Sequence, residues 1–438
     1  MTGHRAQSRK MPLANKAYRL AMSALGLVAE PYLAWRARKG KEDPDRKDER
    51  FGRAGTPRPQ GRIGWIHAAS VGESVSVLPL IKRLLDFGDI DHLVVTTGTV
   101  TSAEIMAARL PAGAVHQYVP LDCPSFVAGF IDHWRPDFAM FVESEIWPNM
   151  YAALEQRQIP AAIINGRMSA RSFKGWQRHR GFMSRVLATT EICIAQNLGY
   201  AHHFAQLGAP NVVALGNIKF DSPPLPASEG DLSRLVELTK LRPVWLAAST
   251  HRGEEEAIAD VHISMRDKYP DLLTILAPRH PERGEEVATL LEDRWLATAR
   301  RSTGAEPRAM IDVYVADTIG ELGLFYRLCP FAFIGGSLTG IGGHNPVEAA
   351  NLECAVLHGP HIQNFRDMFE TFDAAGAALE VADAGQLFTY VDQLTANPAQ
   401  AKTMAAAGGE VLRVNAGALD RAIAALGPIL APRRAQNG

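Results

Sequence analysis

An acid placed where a strand gives way to a helix is positioned to take a proton, and the segment His67–Ser74, HAASVGES, has that form. An apolar strand ends there, the chain turns at Gly72, and the helical pattern SVSVLPLIKRLL follows. Glu73 falls in the first helical turn, among backbone N–H groups that have no partner inside the helix, and is expected to stay ionised. An ionised carboxylate without a neutralising partner accepts a proton from a hydroxyl. The plainer reading, a favourable first-turn acid, stands level with it. His67 reads as a core histidine satisfied by backbone. A second acidic segment is VESEIWPN, Val142–Asn149. Glu143 and Glu145 are two apart at the end of a very apolar strand, so they share a face. We assign Glu143 a functional role, ordering a cation or a hydroxyl. Glu145 stays open between that role and a helix cap.

Cations and hydroxyls stand at other strand ends. Arg167 and Arg171 in NGRMSARS lie at a helix start, where a guanidinium fork binds carboxylate or phosphate; solvated arginines are the alternative. Lys219 in GNIKFD precedes a linker, and the choice is between stabilising a negative charge and being an exposed linker lysine. Ser249 and Thr250 in AASTHRGEEE suit a phosphate, although the glutamates that follow oppose it and allow an ordinary capping box. Arg279 and His280 are held between Pro278 and Pro281, which fixes the cation for a nucleotide phosphate. The turn Ile319, Gly320, Glu321 offers amides to a base edge or ribose. The glycine-dense run Ile334–Ala350, IGGSLTGIGGHNPVEAA, leads into a helix at Pro346. Its backbone, at Gly336 and Ser337 among others, can approach a phosphate closely, and Glu348 can take two ribose hydroxyls. The run is neither a dinucleotide fingerprint nor a P-loop. Neither HExxH, an EF-hand loop nor paired cysteines occur, and DID at 89–91 lies on the wrong strand edge for a metal.

The elements that position these residues are short apolar runs separated by helical patterns. They are 64–69, 92–97, 137–144, 161–166, 191–196 and 212–217 in the first half, then 244–249, 272–278, 312–317, 331–336 and 355–360. Such alternation gives βαβ units and parallel sheets covered on both faces. The proline-rich stretch 221–230, DSPPLPASEG, is a linker. The expected fold is therefore α/β, two doubly wound Rossmann-like domains facing across a cleft, with ligands at the carboxyl ends of the strands. We expect a membrane-associated helix and polar linker over 1–60, a first domain over 61–220, a linker over 221–230 and a second domain over 231–438. The 438 residues, 47% hydrophobic, suffice for two cores. A net charge of −1 implies no global pull toward nucleic acid. The four cysteines lack metal or disulfide spacing, which points to a reducing compartment. The apolar stretch Leu20–Trp35 is interrupted by Glu30 and Pro31 and flanked by Lys16, Arg19, Arg36, Arg38, Lys39 and Lys41. It reads as an interfacial helix, with a soluble helix packed on the first domain as the alternative. The tail APRRAQNG reads as frayed.

Taken together, HAASVGES, VESEIWPN, NGRMSARS, GNIKFD, STHRGEE, PRHPERG, GGS…GIGGHNPVEAA and GPHIQNF occur in the order found in bacterial transferases of Kdo, 3-deoxy-D-manno-octulosonic acid. ERFG at 49–52 also resembles the end of that family's anchor region, and the likeness runs from about residue 20 past 370. The resemblance implies a GT-B fold and inverting transfer of Kdo from CMP-Kdo to a lipid A precursor in lipopolysaccharide biosynthesis. It implies the cytoplasmic face of the inner membrane and no metal or other cofactor. Glu73 matches the family's proton acceptor, and Glu143 and Lys219 match positions that support the transition state. Arg279, His280, the turn Ile319–Glu321 and the run Asn345, Pro346, Val347 and Glu348 match the CMP-binding segments. Ser249, Thr250, Gly336, Ser337 and Arg167 are further candidates for donor contact. The broken N-terminal stretch departs from a spanning anchor. A sugar-nucleotide epimerase of the same fold and a non-catalytic membrane-surface protein are the rival readings.

Overall fold

The computed structural model describes residues 13–88 and 90–431. Asp89 of the DID stretch and the tail from residue 432 lie outside the described residues. Two parallel seven-stranded sheets form the two compact units of the chain. In the first unit the strands are β1 Ile63–His67, β2 His92–Thr97, β3 Ala114–Tyr118, β4 Phe138–Val142, β5 Ala161–Gly166, β6 Thr190–Ala195 and β7 Val212–Ala214, in the order β3-β2-β1-β4-β5-β6-β7. In the second they are β8 Val244–Thr250, β9 Leu273–Pro278, β10 Thr298–Arg300, β11 Val313–Val315, β12 Phe331–Ile334, β13 Ala355–His358 and β14 Ala378–Glu380, in the order β10-β11-β9-β8-β12-β13-β14.

Every residue of β1, β4 and β5 is buried, as a sheet covered on both faces demands. On one face Trp65 packs against Phe130 and Phe141. On the other Ile66, Met140 and Ile164 join a second apolar cluster. The three strands that the apolar runs did not announce, β3, β10 and β14, are all edge strands. An edge is covered on fewer sides, so it carries a weaker apolar signal. The doubly wound order reverses direction between β1 and β4 in the first sheet and between β8 and β12 in the second. Ligands of open α/β sheets bind outside the carboxyl ends of strands at such reversals.

Two expected boundaries are corrected. The segment up to residue 60 is not a free linker. Glu49 is buried and accepts the Tyr118 N–H of edge strand β3 at 2.7 Å, while buried Arg50 donates to the Val119 carbonyl at 2.7 Å. These bonds satisfy backbone groups that an edge would otherwise expose, and they clamp the segment to the first unit. The second domain also ends early. Its compact unit runs from Ser222 to Ala416, and the chain from Gly417 returns to the first unit. There the helix Ala418–Leu430 buries Leu419, Ala422, Leu426 and Ile429 in the same cluster as Ile66. Its N-cap is Gly417, which has no side chain to offer. Asp221 supplies the cap instead, accepting the N–H groups of Gly417 and Leu419 at 2.7 Å each. Asp221→Ala is therefore expected to lower stability by about 1–2 kcal/mol, read as a lower urea midpoint at unchanged slope.

The N-terminal stretch forms two helices, Leu13–Gly26 and Ala29–Ala37. Among the described residues no helix is long and apolar enough to cross a membrane. Tyr18 donates to Asp122 at 2.9 Å, and Ala29 and Leu33 are buried, so the pair is seated on the first unit. Leu20, Leu25, Leu27, Val28, Tyr32 and Trp35 remain exposed.

Candidate active site

Three glutamates meet at the reversal point of the first sheet, and their surroundings set them apart. Glu143 follows β4 in the left-handed region, at φ 56°. Its Oε1 lies 2.6 Å from Lys219 Nζ, an ion pair with both side chains almost entirely buried. Lys219 is thus no exposed linker lysine. It sits in the 3-10 turn Ile218–Asp221, which is tied down where the Asn165 side chain accepts the Ile218 N–H at 3.1 Å. Glu145 is engaged by His67 Nε2 at 3.3 Å and by Trp147 Nε1 at 2.7 Å. Burial alone would raise its pKa, but these bonds outweigh it and hold the group below the ordinary value. His67 is fully buried, and its Nδ1 faces Thr96 O at 3.1 Å and Oγ1 at 3.0 Å. It is the satisfied core histidine expected, with its second nitrogen spent on orienting Glu145.

Glu73 has no cation partner among the described residues. It accepts from the Ala69 N–H at 2.9 Å and from Ser70 Oγ at 2.8 Å, while Ser70 caps the helix Val71–Ser76. It lies in the first turn of that helix, a position common to both readings of the sequence. The expectation that the helix end keeps it ionised is corrected. Burial, then the charges of Glu143 and Glu145, push its pKa up from 4.5 to about 7, against the two hydrogen bonds. A carboxyl that titrates near neutrality is matched to taking and releasing a proton at working pH. Three acids with divergent environments divide the labour: Glu143 pairs with Lys219, Glu145 is held by two donors, and Glu73 is left to exchange a proton. Arg167 borders this group, its carbonyl accepting from Ser144 Oγ. Arg171 is exposed.

In the second unit the reversal point joins the end of β8 to the glycine-rich loop after β12. The amides of Gly336, Ser337 and Leu338 are not open to a phosphate. The buried Glu254 carboxylate accepts the N–H groups of Gly336 at 2.7 Å, Ser337 at 3.0 Å and Leu338 at 3.0 Å, and that of His251 at 3.0 Å. The Ser337 hydroxyl donates to Ile334 and accepts from Gly359 N–H at 2.8 Å. Gly336 and Ser337 are thus scaffold. Thr250 is scaffold as well: fully buried, it donates to Glu255 at 3.1 Å, and Glu255 in turn pairs with Arg283 at 2.9 Å. Ser249 has a φ of 56° and its carbonyl lies against Gly335, where an added Cβ would stand 2.4 Å from it. The glutamates that seemed to oppose an anion are consumed in building the loop. A carboxylate with four amide donors needs no counter-cation.

What remains available is a set of cations and turn amides. Arg279 anchors its backbone N–H on Thr250 O at 3.0 Å, and its guanidinium has no carboxylate partner among the described residues. His280 is exposed beside it. The N–H groups of Ile319, Gly320 and Glu321 donate to no other described residue. Glu321 itself is held by Arg301 at 2.6 Å, which fixes the turn. Asn345 accepts the Val347 N–H at 3.1 Å and so starts the short helix Val347–Ala350, with Pro346 and Val347 buried and Glu348 partly exposed. Two histidines that sequence reasoning left unassigned, His251 and His344, stand in this cluster. Both lie inside the segments STHRGEE and GIGGHN, but nothing in their spacing tells that they touch.

The model of the family 3-deoxy-D-manno-octulosonic-acid transferase (kdotransferase) matches residues 45–222. A 3-deoxy-D-manno-octulosonic acid transferase of Haemophilus influenzae is 37% identical over 389 residues, 87% of this chain and 90% of that protein. The chain belongs to this transferase family. It is a glycosyltransferase, and the matched length takes in most of each of its units. A probable mitochondrial 3-deoxy-D-manno-octulosonic acid transferase of Arabidopsis thaliana is 34% identical over 394 residues, 87% of this chain and 88% of that one. A solved UDP-N-acetylglucosamine 2-epimerase superposes with a TM-score of 0.56 at 12% identity, covering 87% of this chain and 99% of its own. That likeness is one of fold alone, so the epimerase reading gains nothing from it, whereas the transferase relatives match in sequence across both units.

Proposed function

We propose that the transferase moves Kdo from CMP-Kdo to a sugar hydroxyl of a lipid A precursor in lipopolysaccharide biosynthesis, at the cytoplasmic face of the inner membrane and without a metal. The observation that carries this reading is the acid cluster of the first unit. Glu143 and Glu145 are pinned by Lys219 and His67, and Glu73 alone is left to titrate near neutrality. Glu73 takes the proton of the acceptor hydroxyl, and the oxygen attacks the anomeric carbon of Kdo from the face opposite the phosphate. The anomeric C–O bond breaks, its electron pair leaves with CMP, and the configuration inverts. Glu143 and Lys219 support the charge that develops near the acid.

The second unit holds the nucleotide. Arg279 and His280 meet the phosphate, the amides of Ile319, Gly320 and Glu321 meet the base or ribose, and the segment Asn345–Glu348 meets the ribose. Support for the membrane surface comes from the exposed Leu20, Leu25, Leu27 and Trp35 beside Lys16, Arg19 and Lys39. An apolar face with a basic flank suits an anionic lipid surface.

Mass analysis of the product from CMP-Kdo and a tetra-acylated lipid A precursor tests this function. The expected result is a lipid heavier by one or more Kdo residues, formed equally in the presence of EDTA. An unchanged lipid with conversion of the donor alone would instead support an epimerase. Arg279→Ala is expected to weaken CMP binding about 10–100-fold, the size of a lost charge-assisted contact, in a titration of the nucleotide.

A further inference from the structure

The acid cluster is held from behind by the start of the helix Pro148–Gln156, into which VESEIWPN runs. Trp147, the N-cap of that helix, donates to Glu145 Oε2 at 2.7 Å, and the Tyr151 hydroxyl one turn on reaches the Glu145 carbonyl at 3.4 Å. The indole of Trp147 has no acceptor for the free amides that follow it. Asp122, in the loop after β3, caps them instead. Its carboxylate accepts the N–H groups of Asn149 at 3.1 Å and Met150 at 2.9 Å, and its carbonyl accepts the Asn149 side-chain amide at 2.6 Å. The asparagine that closes the motif is spent on this cap.

Asp122 is buried and serves a third donor. The hydroxyl of Tyr18, in the helix Leu13–Gly26, donates to Oδ2 at 2.9 Å, the oxygen that also accepts from the Asn149 N–H. That helix touches the same loop twice more. Cys123 Sγ donates to the Met22 carbonyl at 3.0 Å, and Gly26 lies so close that an added Cβ would stand 3.2 Å from the same sulfur. The Leu121 N–H, donating to the Arg50 carbonyl at 2.9 Å, fixes the loop from another side. A line of bonds therefore runs from Tyr18 through Asp122 to the start of the helix Pro148–Gln156, and on through Trp147 to Glu145. Glu145 is one of the two charges that act on Glu73. Donors from two elements leave the carboxylate of Asp122 one orientation. Without the tyrosine, both remaining donors to it belong to one helix, and the two can shift together.

We infer that Asp122 and Tyr18 are positioning residues of the transfer reaction: together they fix the start of the helix Pro148–Gln156, and through Trp147 they keep Glu145 beside Glu73. The helix Leu13–Gly26 is then part of the scaffold of the active site. Glu145 held in place keeps Glu73 a strong base. Glu145 released moves away from the like charge, and Glu73 takes the acceptor's proton less readily. The inference rests on reading Glu73 as the proton acceptor, and it extends that reading to two residues of the first unit that belong to neither proposed substrate site.

Steady-state transfer by the full chain at pH 8 tests it, with CMP-Kdo and the tetra-acylated precursor saturating in detergent micelles. Tyr18→Phe keeps the ring against Phe182, with centroids 5.7 Å apart, and removes only the hydroxyl. It is expected to lower kcat about 3–10-fold, the worth of one hydrogen bond, with the KM for the precursor and the affinity for CMP as in the wild type. Glu145→Gln removes the charge that is being positioned, and in that background Tyr18→Phe is expected to cost nothing further. Hydrogen exchange over residues 143–150 is expected to quicken in Tyr18→Phe, and also in Asp122→Asn, which exchanges one acceptor oxygen for a donor. A Tyr18→Phe variant that keeps the wild-type kcat would overturn the inference. So would a change in KM alone, the mark of a helix that only attaches the enzyme to lipid. A loss of kcat by the same factor in the Glu145→Gln background, or unchanged exchange over 143–150, would overturn it too. A wild-type chain that transfers no Kdo would overturn the proposed function, and this inference with it.

Discussion

Glu73→Gln is expected to lower the rate of transfer about 10²–10⁴-fold while CMP binds the variant as it binds the wild type, since the acid belongs to the first unit and the proposed nucleotide contacts to the second. Glutamine keeps an oxygen for the Ala69 N–H or Ser70 Oγ, so the turn survives and the loss is one of proton transfer. The wild-type rate should itself titrate with this group. A base works only when deprotonated, so kcat/KM is expected to rise with pH through about 7 and then level off. The same shift acts on stability, with a sign that can be stated. The folded pKa is raised above the ordinary 4.5, so the neutral carboxyl's contribution is fully present below pH 4.5 and is lost as pH rises through about 7. Glu73→Gln is neutral at every pH. At pH 8 it is expected to melt higher than the wild type by about 2–4 °C, while at pH 4 the two should coincide. A variant that loses activity yet gains stability only at alkaline pH is the signature of an acid held in a hostile site for the sake of its chemistry.

Lys219→Met is the second large effect, and it falls on the scaffold of the site. The lysine and Glu143 are buried together at 2.6 Å, and removing one partner leaves an uncompensated buried charge. That costs about 3–5 kcal/mol, which chemical denaturation of the variant measures directly. Two further readouts separate this from simple loss of packing. Glu143 already raises the Glu73 pKa, and without the lysine to offset it that influence grows. The midpoint of the pH–rate profile is therefore expected to move to higher pH in Lys219→Met. In the double variant Lys219→Met with Glu143→Gln the stray charge is gone. Part of the lost stability returns, and the midpoint moves below that of the wild type.

The strands that carry the site were legible in the sequence because buried parallel strands must be continuously apolar. β1, β4, β8 and β12 announced themselves, and the polar residues just past their ends stood out against them. Edge strands β3, β10 and β14 did not, for the burial that makes the signal is weaker there. The return of the last helix to the first unit was equally hidden. Its apolar face joins the Ile66 cluster of the first unit, and Asp221 caps it from nearly two hundred residues away.

The roles of polar residues divide in the same way. Sequence determined that Glu73 stands at a strand-to-helix turn and that Arg279 is fixed between prolines, because these follow from local geometry and from the types of adjacent residues. Only the tertiary structure decided the charge state of Glu73, through burial and the approach of Glu143 and Glu145 from another strand. It also turned Lys219 from a linker residue into half of a buried pair, gave the amides of Gly336 and Ser337 to Glu254, and set His344 against His251. Each of those outcomes depends on distance through space and on exclusion of water, and a linear pattern of residue types encodes neither until the chain has closed on itself.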